Sequence, residues 1–154
     1  MKCLSVKEIA SILQIAVAVL CLPAVLLFSM VISFPDDMKL FMYQCSLTTT
    51  MVLCLIFGCS TWFYNSNYPK TRLHVRILIV IVLWIMFVLG VATAVLFDLQ
   101  YSGELIYGLF EPDMFDTIDL VFLYIGMILG ALAHLILLIV NIILTVGVIR
   151  RGRK

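Results

Sequence analysis

The apolar stretch 120–149 places the strongest constraint on the fold. It carries no formal charge while its histidine is neutral, and His134 and Asn141 are its only strongly polar residues. A helix of this length, at about 1.5 Å per residue, exceeds the roughly 30 Å hydrocarbon thickness of a bilayer. Lysine and arginine stay on the cytoplasmic side of membrane helices. A basic cluster follows the stretch at once, consisting of Arg150, Arg151, Arg153 and Lys154. The stretch is therefore predicted to span a membrane and to leave the C-terminus in the cytoplasm.

Three further apolar stretches are long enough to cross a bilayer. With 64% hydrophobic and 12% charged residues, the 154-residue chain differs from soluble domains, in which about a quarter of the residues are charged. The predicted spans are 9–34, 40–64, 75–97 and 118–149, with outer loops 35–39 and 98–117 and an inner loop 65–74. The first span follows a basic start, as a signal peptide does, but it exceeds the roughly 7–15 residues of a signal-peptide core, which favours a retained helix. We therefore predict a single all-α domain, an antiparallel bundle of four transmembrane helices.

The basic residues fall almost entirely on one predicted side of the membrane. Of the ten lysines and arginines, Lys39 alone lies in an outer loop. This asymmetry predicts cytoplasmic N- and C-termini in an integral, multi-pass protein of the plasma membrane or an endomembrane. The formal net charge is only +1, so no overall field favours nucleic acid as a partner.

Small and polar residues recur at helical spacing along three of the predicted spans. The residues concerned are Gly126, Gly130, His134 and Asn141 in the fourth span, Thr50, Cys54 and Gly58 in the second, and Gln14 in the first. Because lipid provides no hydrophobic drive between helices, close approach across small residues and hydrogen bonds hold membrane helices together. These residues are predicted to form helix-packing or partner faces, turned to the bundle interior or to a second copy of the chain.

His134 is the only histidine, acid or base deep within a predicted span. Such residues often mark proton relays or ligand sites. A relay would require a carboxylate at matching depth, and no predicted span contains one. We expect a neutral histidine that is hydrogen-bonded to Asn141, to Gln14 or to a threonine of the second span. The alternative function is a small transporter, channel or channel accessory subunit with a polar path near His134 and Asn141.

The remaining motifs point away from enzymatic chemistry. The five cysteines form neither a disulfide framework in the outer loops nor a metal-ligand spacing. Cys3, just before the first span, is a candidate for lipidation. No nucleophile elbow or phosphate loop is present. We predict no enzyme, no cofactor and no metal. The expected partners are membrane lipids, anionic ones being contacted by the C-terminal basic cluster, and a membrane protein or a second copy of the chain.

Several positions carry a resemblance to a known family. They are Gln14 within the segment 11–15, Arg76 at the start of the third span, Trp84 inside that span, and the arginine-rich tail. Together with four spans and two cytoplasmic termini, this layout resembles MARVEL-domain proteins along nearly the whole chain. The five-residue first outer loop is unusually short for that family, and the outer cysteines of some members are absent. The resemblance implies a scaffold role in membrane apposition, vesicle trafficking or lipid-domain organisation.

Overall fold

A computed structural model describes four α-helices, which cover residues 6–31, 38–65, 73–110 and 117–152. They are α1 (Val6–Val31), α2 (Met38–Asn65), α3 (Leu73–Phe110) and α4 (Thr117–Gly152). Each contains a segment long and apolar enough to cross a membrane: Glu8–Val31, Met38–Ser60, His74–Phe97 and Val121–Arg150. The predicted all-α fold with four apolar helices is confirmed for the described residues.

The predicted connectors fall largely outside the described ranges or inside helices. Outer loop 35–39 is described from Met38 onward, where α2 begins, and inner loop 65–74 only at Asn65, Leu73 and His74, which belong to α2 and α3. Residues 98–110 of the predicted outer loop 98–117 are helical, because α3 continues to Phe110. Polar residues alone do not end a helix, and the first proline after the predicted span is Pro112.

The helices are not equally embedded in the bundle. α1 packs extensively on α2 and α4, whereas α3 packs on the same two helices over smaller areas. In an 18-residue apolar window of the α3 span only 11% is buried inside the protein, against 39% in the corresponding window of the α1 span. The core is contributed by all four helices and includes Phe28, Tyr43, Leu47, Leu83, Phe97, Leu137 and Val140. α3 is thus the peripheral helix of the bundle.

The outward faces of the spans are aliphatic. Large apolar side chains are exposed on every helix, for example Leu26 on α1, Ile56 on α2, Val88 on α3 and Leu135 on α4. Exposed apolar surface of this extent is costly in water and is normal for a helix surrounded by hydrocarbon. The polar residues that the sequence singled out lie on the opposite, inward faces.

Candidate functional site

All eight residues predicted to lie on helix-packing or partner faces are buried in the described bundle. They are Gln14 on α1, Thr50, Cys54 and Gly58 on α2, and Gly126, Gly130, His134 and Asn141 on α4. The structure therefore brings these stripes together in the interior.

The two glycines of the α4 stripe make room for aromatic side chains of the same chain. A Cβ atom at Gly126 would lie 2.7 Å from Cε1 of Phe28, a distance that real Cβ atoms do not reach. A Cβ atom at Gly130 would overlap the hydroxyl group of Tyr43. Phe28 and Tyr43 also contact each other, with ring centroids 5.6 Å apart. Aromatic rings from α1 and α2 therefore pack against the stripe and leave no room on it for a second copy of the chain.

His134 is hydrogen-bonded within its own helix. Its Nδ1 lies 2.7 Å from the carbonyl oxygen of Gly130. Because a carbonyl can only accept, Nδ1 carries the proton and donates it. The prediction that Asn141, Gln14 or a threonine of α2 would be the partner was wrong. The carbonyl four residues earlier on α4 lies within reach without any help from another helix.

The second ring nitrogen of His134 is directed at α3. A Cβ atom at Gly90 would overlap Nε2, so the imidazole fills the place that a side chain would take on α3. Nε2 has no hydrogen-bond partner among the described residues. Aromatic rings flank the imidazole, with centroid distances of 6.0 Å to Tyr43 and 6.4 Å to Phe87. His134 thus packs as a flat ring between α2 and α3.

A hydrogen-bonded network joins α3 to α4. Nδ2 of Asn141 donates to the carbonyl oxygen of Leu83 at 3.3 Å. Nε1 of Trp84 donates to Oγ1 of Thr145 at 3.1 Å, and Oγ1 of Thr145 in turn donates to the carbonyl of Asn141 at 2.6 Å. The sequence reasoning singled out Asn141 but missed Thr145. Its position one turn after Asn141 was the available signal.

Two further hydrogen-bonded contacts join α1 to α2. Oγ of Ser11 donates to the carbonyl oxygen of Gly58 at 2.5 Å. Nε2 of Gln44 donates to the carbonyl oxygen of Val25 at 3.2 Å and also contacts Oγ of Ser29. Ser11 was not predicted as a packing residue, although it stands one turn before Gln14. Gly58 was predicted as a packing residue, and a Cβ atom added there would lie 3.1 Å from Cγ1 of Ile15.

The interior retains several polar atoms without a partner in the described part of the chain. They are Oγ of Ser46, Oγ1 of Thr50, Nε2 of His134 and Oδ1 of Asn141. The two hydroxyl groups can donate or accept hydrogen bonds, and the other two atoms can accept them, when water or a bound polar molecule reaches them. Within the described ranges, no three histidine, cysteine, aspartate or glutamate side chains come together to hold a metal ion.

The other predicted contact residues lie at the ends of the chain. Arg150 is exposed in the last turns of α4, and Arg151 belongs to the same helix. Arg153 and Lys154, predicted to contact anionic lipid, and Cys3, predicted as a lipidation site, lie outside the described residues.

The interior chemistry is therefore that of helix packing, with single polar groups placed between apolar and aromatic side chains. No protein-family model, curated protein or solved structure matches the chain.

Proposed function

We propose that the chain is a non-enzymatic, multi-pass integral membrane protein that organises membrane domains, trafficking or partner proteins. It acts laterally, through contacts of its helix faces with lipids and with other membrane helices. The observation that carries this proposal is the division of the spans into aliphatic outward faces and polar inward stripes. A surface such as that of Leu26, Ile56 and Val88 meets hydrocarbon or another helix, whereas the inward groups hold the bundle together.

The proposed arrangement is antiparallel, as two helical hairpins. In the first hairpin, Ser11 near the start of α1 bonds to Gly58 late in α2, and Val25 near the end of α1 bonds to Gln44 early in α2. The second hairpin has the same pattern. Leu83 pairs with Asn141, and Gly90, further along α3, meets His134, which is earlier in α4. These contacts support opposite directions within each hairpin.

Both termini are placed in the cytoplasm in this proposal. The support is the distribution of lysine and arginine, which leaves only Lys39 on the outer side. The resemblance to MARVEL-domain proteins is part of the same proposal and suggests membrane apposition or vesicle trafficking as the setting.

The association face is proposed to lie on the exposed aliphatic surface, because the stripe with Gly126 and Gly130 is occupied by this chain's own rings. A photoreactive amino acid introduced at Val88 or at Leu135, both exposed, tests this in intact cells. We expect crosslinks to one recurring protein, or to a second copy of the chain, from at least one exposed position. Leu137, which is fully buried, is the matched control and should give only crosslinks within the chain. Uniform labelling of lipid alone from every exposed position would contradict a partner-organising role.

A second candidate function is a small transporter, channel or channel accessory subunit. The unpartnered atoms of Thr50, His134 and Asn141 favour it, since a polar solute or water passing through the bundle could use them. Proteoliposomes that hold the purified protein provide the test. An ion or proton flux that His134→Ala reduces at least tenfold would support this candidate. Equal fluxes in protein-containing and empty vesicles would reject it.

A further inference from the structure

A groove of about 370 Å³ lies between α2 and α3 and opens to the outside of the bundle. Its lining includes Met42, Ser46 and Thr49 from α2 and Met86, Leu89 and Thr93 from α3. No lining residue has a formal charge, and the walls are mainly apolar. The volume falls at the lower end of the roughly 300–1,000 Å³ of small-molecule sites. In a chain that spans a bilayer, the groove faces lipid.

One hydroxyl group in this groove has no partner. Ser46 is only 9% exposed, and its Oγ makes no hydrogen bond within the described part of the chain. The neighbouring hydroxyls differ from it, because Thr49 donates to the carbonyl of Cys45 and Thr93 donates to that of Leu89. The Ser46 hydroxyl therefore has a proton to donate, and an acceptor on an occupant of the groove would satisfy it.

A cation stands above the groove on the same face of α2. Lys39, Met42, Ser46 and Thr49 follow one another at steps of three and four residues, so they share one stripe. Lys39 is exposed and lies two turns before Ser46, about 10 Å along the helix axis. Its side chain keeps the ammonium group in the headgroup region beyond the mouth of the groove. Along this face of α2, the Lys39 ammonium group is thus followed by the Ser46 hydroxyl group and by the apolar walls of the groove.

From this order we propose that the groove binds one glycerophospholipid of the outer leaflet. Its phosphate pairs with Lys39, an ester carbonyl accepts the hydrogen bond of Ser46, and one acyl chain lies between α2 and α3. The proposal rests on the proposed membrane-spanning function, which gives the lipid its orientation. A helix of a partner protein fits less well, because a helix about 10–12 Å wide needs roughly 140 Å³ per residue, so the groove would hold less than one turn.

The bound lipid would also compensate for the weak packing of α3. This helix buries the smallest share of its span, and the groove separates part of it from α2. An acyl chain in that space supplies dispersion contacts to both helices that neither makes with the other there.

The test uses the full-length protein in vesicles that contain a phosphatidylcholine with a photoreactive group in its acyl chain. Adducts are located by peptide mass spectrometry, and we expect them to concentrate on peptides that contain 41–49 and 86–93. Thr49→Trp fills the groove from an exposed position and should lower capture at these peptides at least fivefold. Val52→Trp is the matched control, since Val52 is exposed on α2 outside the lining, and it should leave capture unchanged.

Two further variants separate the parts of the recognition. Ser46→Ala should lower capture about threefold to tenfold, as expected for the loss of one hydrogen bond. Lys39→Gln should lower capture of the phosphatidylcholine probe about fivefold and leave capture of a diacylglycerol probe with the same chains unchanged. Equal capture of both probes by Lys39→Gln and the native protein would overturn the assignment of the phosphate.

Resistance to alkaline extraction from the vesicles, measured for every variant, separates this inference from the proposed function. Extraction of the native protein without detergent would overturn both. A resistant protein whose adducts spread evenly over all exposed faces would overturn the lipid site alone, as would equal capture by Thr49→Trp and Val52→Trp.

Discussion

At position 90 of α3, a glycine lies against the imidazole of His134. An alanine there would place its Cβ on Nε2, and the ring cannot move away easily because Tyr43 and Phe87 flank it. We predict that Gly90→Ala lowers the free energy of unfolding by about 1–3 kcal/mol, as overpacking does in other cores. Circular dichroism during denaturation of the detergent-solubilised protein measures this loss.

Two variants control that experiment. Gly147 has no atom within 4 Å of an added Cβ, so Gly147→Ala should change the unfolding free energy by at most about 1 kcal/mol, and towards greater stability. In the double variant Gly90→Ala with His134→Ala, the ring that causes the overlap is gone. Its loss of stability should therefore be smaller than the sum of the two single losses. Strict additivity would contradict a direct contact between the two residues.

Residue type and spacing identified the interior residues but not their partners. The sequence marked His134 and Asn141 as the polar residues of the fourth span, and the structure buries both. Nothing in a single sequence connects Gly90 to His134, because their meeting depends on the relative rotation of two helices. The hydrogen bond from His134 to Gly130 could have been foreseen, since it lies within one helix.

Among the elements, α3 depends on a few polar contacts because so little of it is buried. Thr145 is central to them, since its hydroxyl accepts from Trp84 and donates to the carbonyl of Asn141. We predict that Thr145→Val lowers the unfolding free energy by about 0.5–2 kcal/mol, the range measured for hydrogen bonds between membrane helices. The same denaturation assay measures the change.

Thr48→Val is the control for Thr145→Val. Among the described residues Thr48 bonds only to the carbonyl of Gln44 on its own helix, so we expect a change of less than about 0.5 kcal/mol. Equal losses of stability in the two variants would show that the hydrogen bond between α3 and α4 is not the source of the stability that Thr145 contributes.

The glycine stripe of α4 yields a prediction about fold rather than assembly. Gly126→Leu would force a branched side chain into the ring of Phe28, and we expect a loss of more than about 2 kcal/mol or failure to form the folded bundle. Ala131→Leu, at an exposed position of α4, should have little effect. Unfolding and crosslinked oligomer yield are both measured. A loss of oligomer without a loss of stability in Gly126→Leu would contradict its interior position.

Helix existence was predictable because a bilayer-length run of apolar residues permits few other structures. The first and last residues of the helices were less predictable. α3 extends to Phe110, well past the end of its apolar run at Phe97. Hydropathy indicates where the hydrocarbon region ends, so it did not predict where this helix ends. A helix can continue through polar residues beyond the hydrocarbon, and no proline occurs in α3 before Pro112 follows its end.

For the whole molecule, the proposed sidedness follows from the distribution of charge, whereas the packing of the helices follows from contacts of single residues. These are separate kinds of information. In the proposed topology the basic residues orient the spans during insertion, whereas contacts such as Ser11 with Gly58 form only once the helices meet. The charge distribution can be read from the sequence, whereas the contacts between helices are seen only in the three-dimensional structure.

The proposed sidedness leads to the last prediction. An epitope tag placed after Lys154 should resist protease in intact cells and be cleaved once the membrane is permeabilised, because arginine and lysine cross membranes poorly. Replacing Arg150, Arg151, Arg153 and Lys154 by glutamine removes the basic cluster at the end of α4. A fraction of these molecules should then expose the tag, while Lys2 and Lys7 still retain the N-terminus inside. Replacing Lys39 by glutamine is the matched control, and it should leave the tag fully protected because it removes the only outer positive charge. If protease cleaves the tag on the native chain in intact cells, the proposed orientation of every span is wrong. The leaflet assigned to the groove between α2 and α3 is then wrong as well.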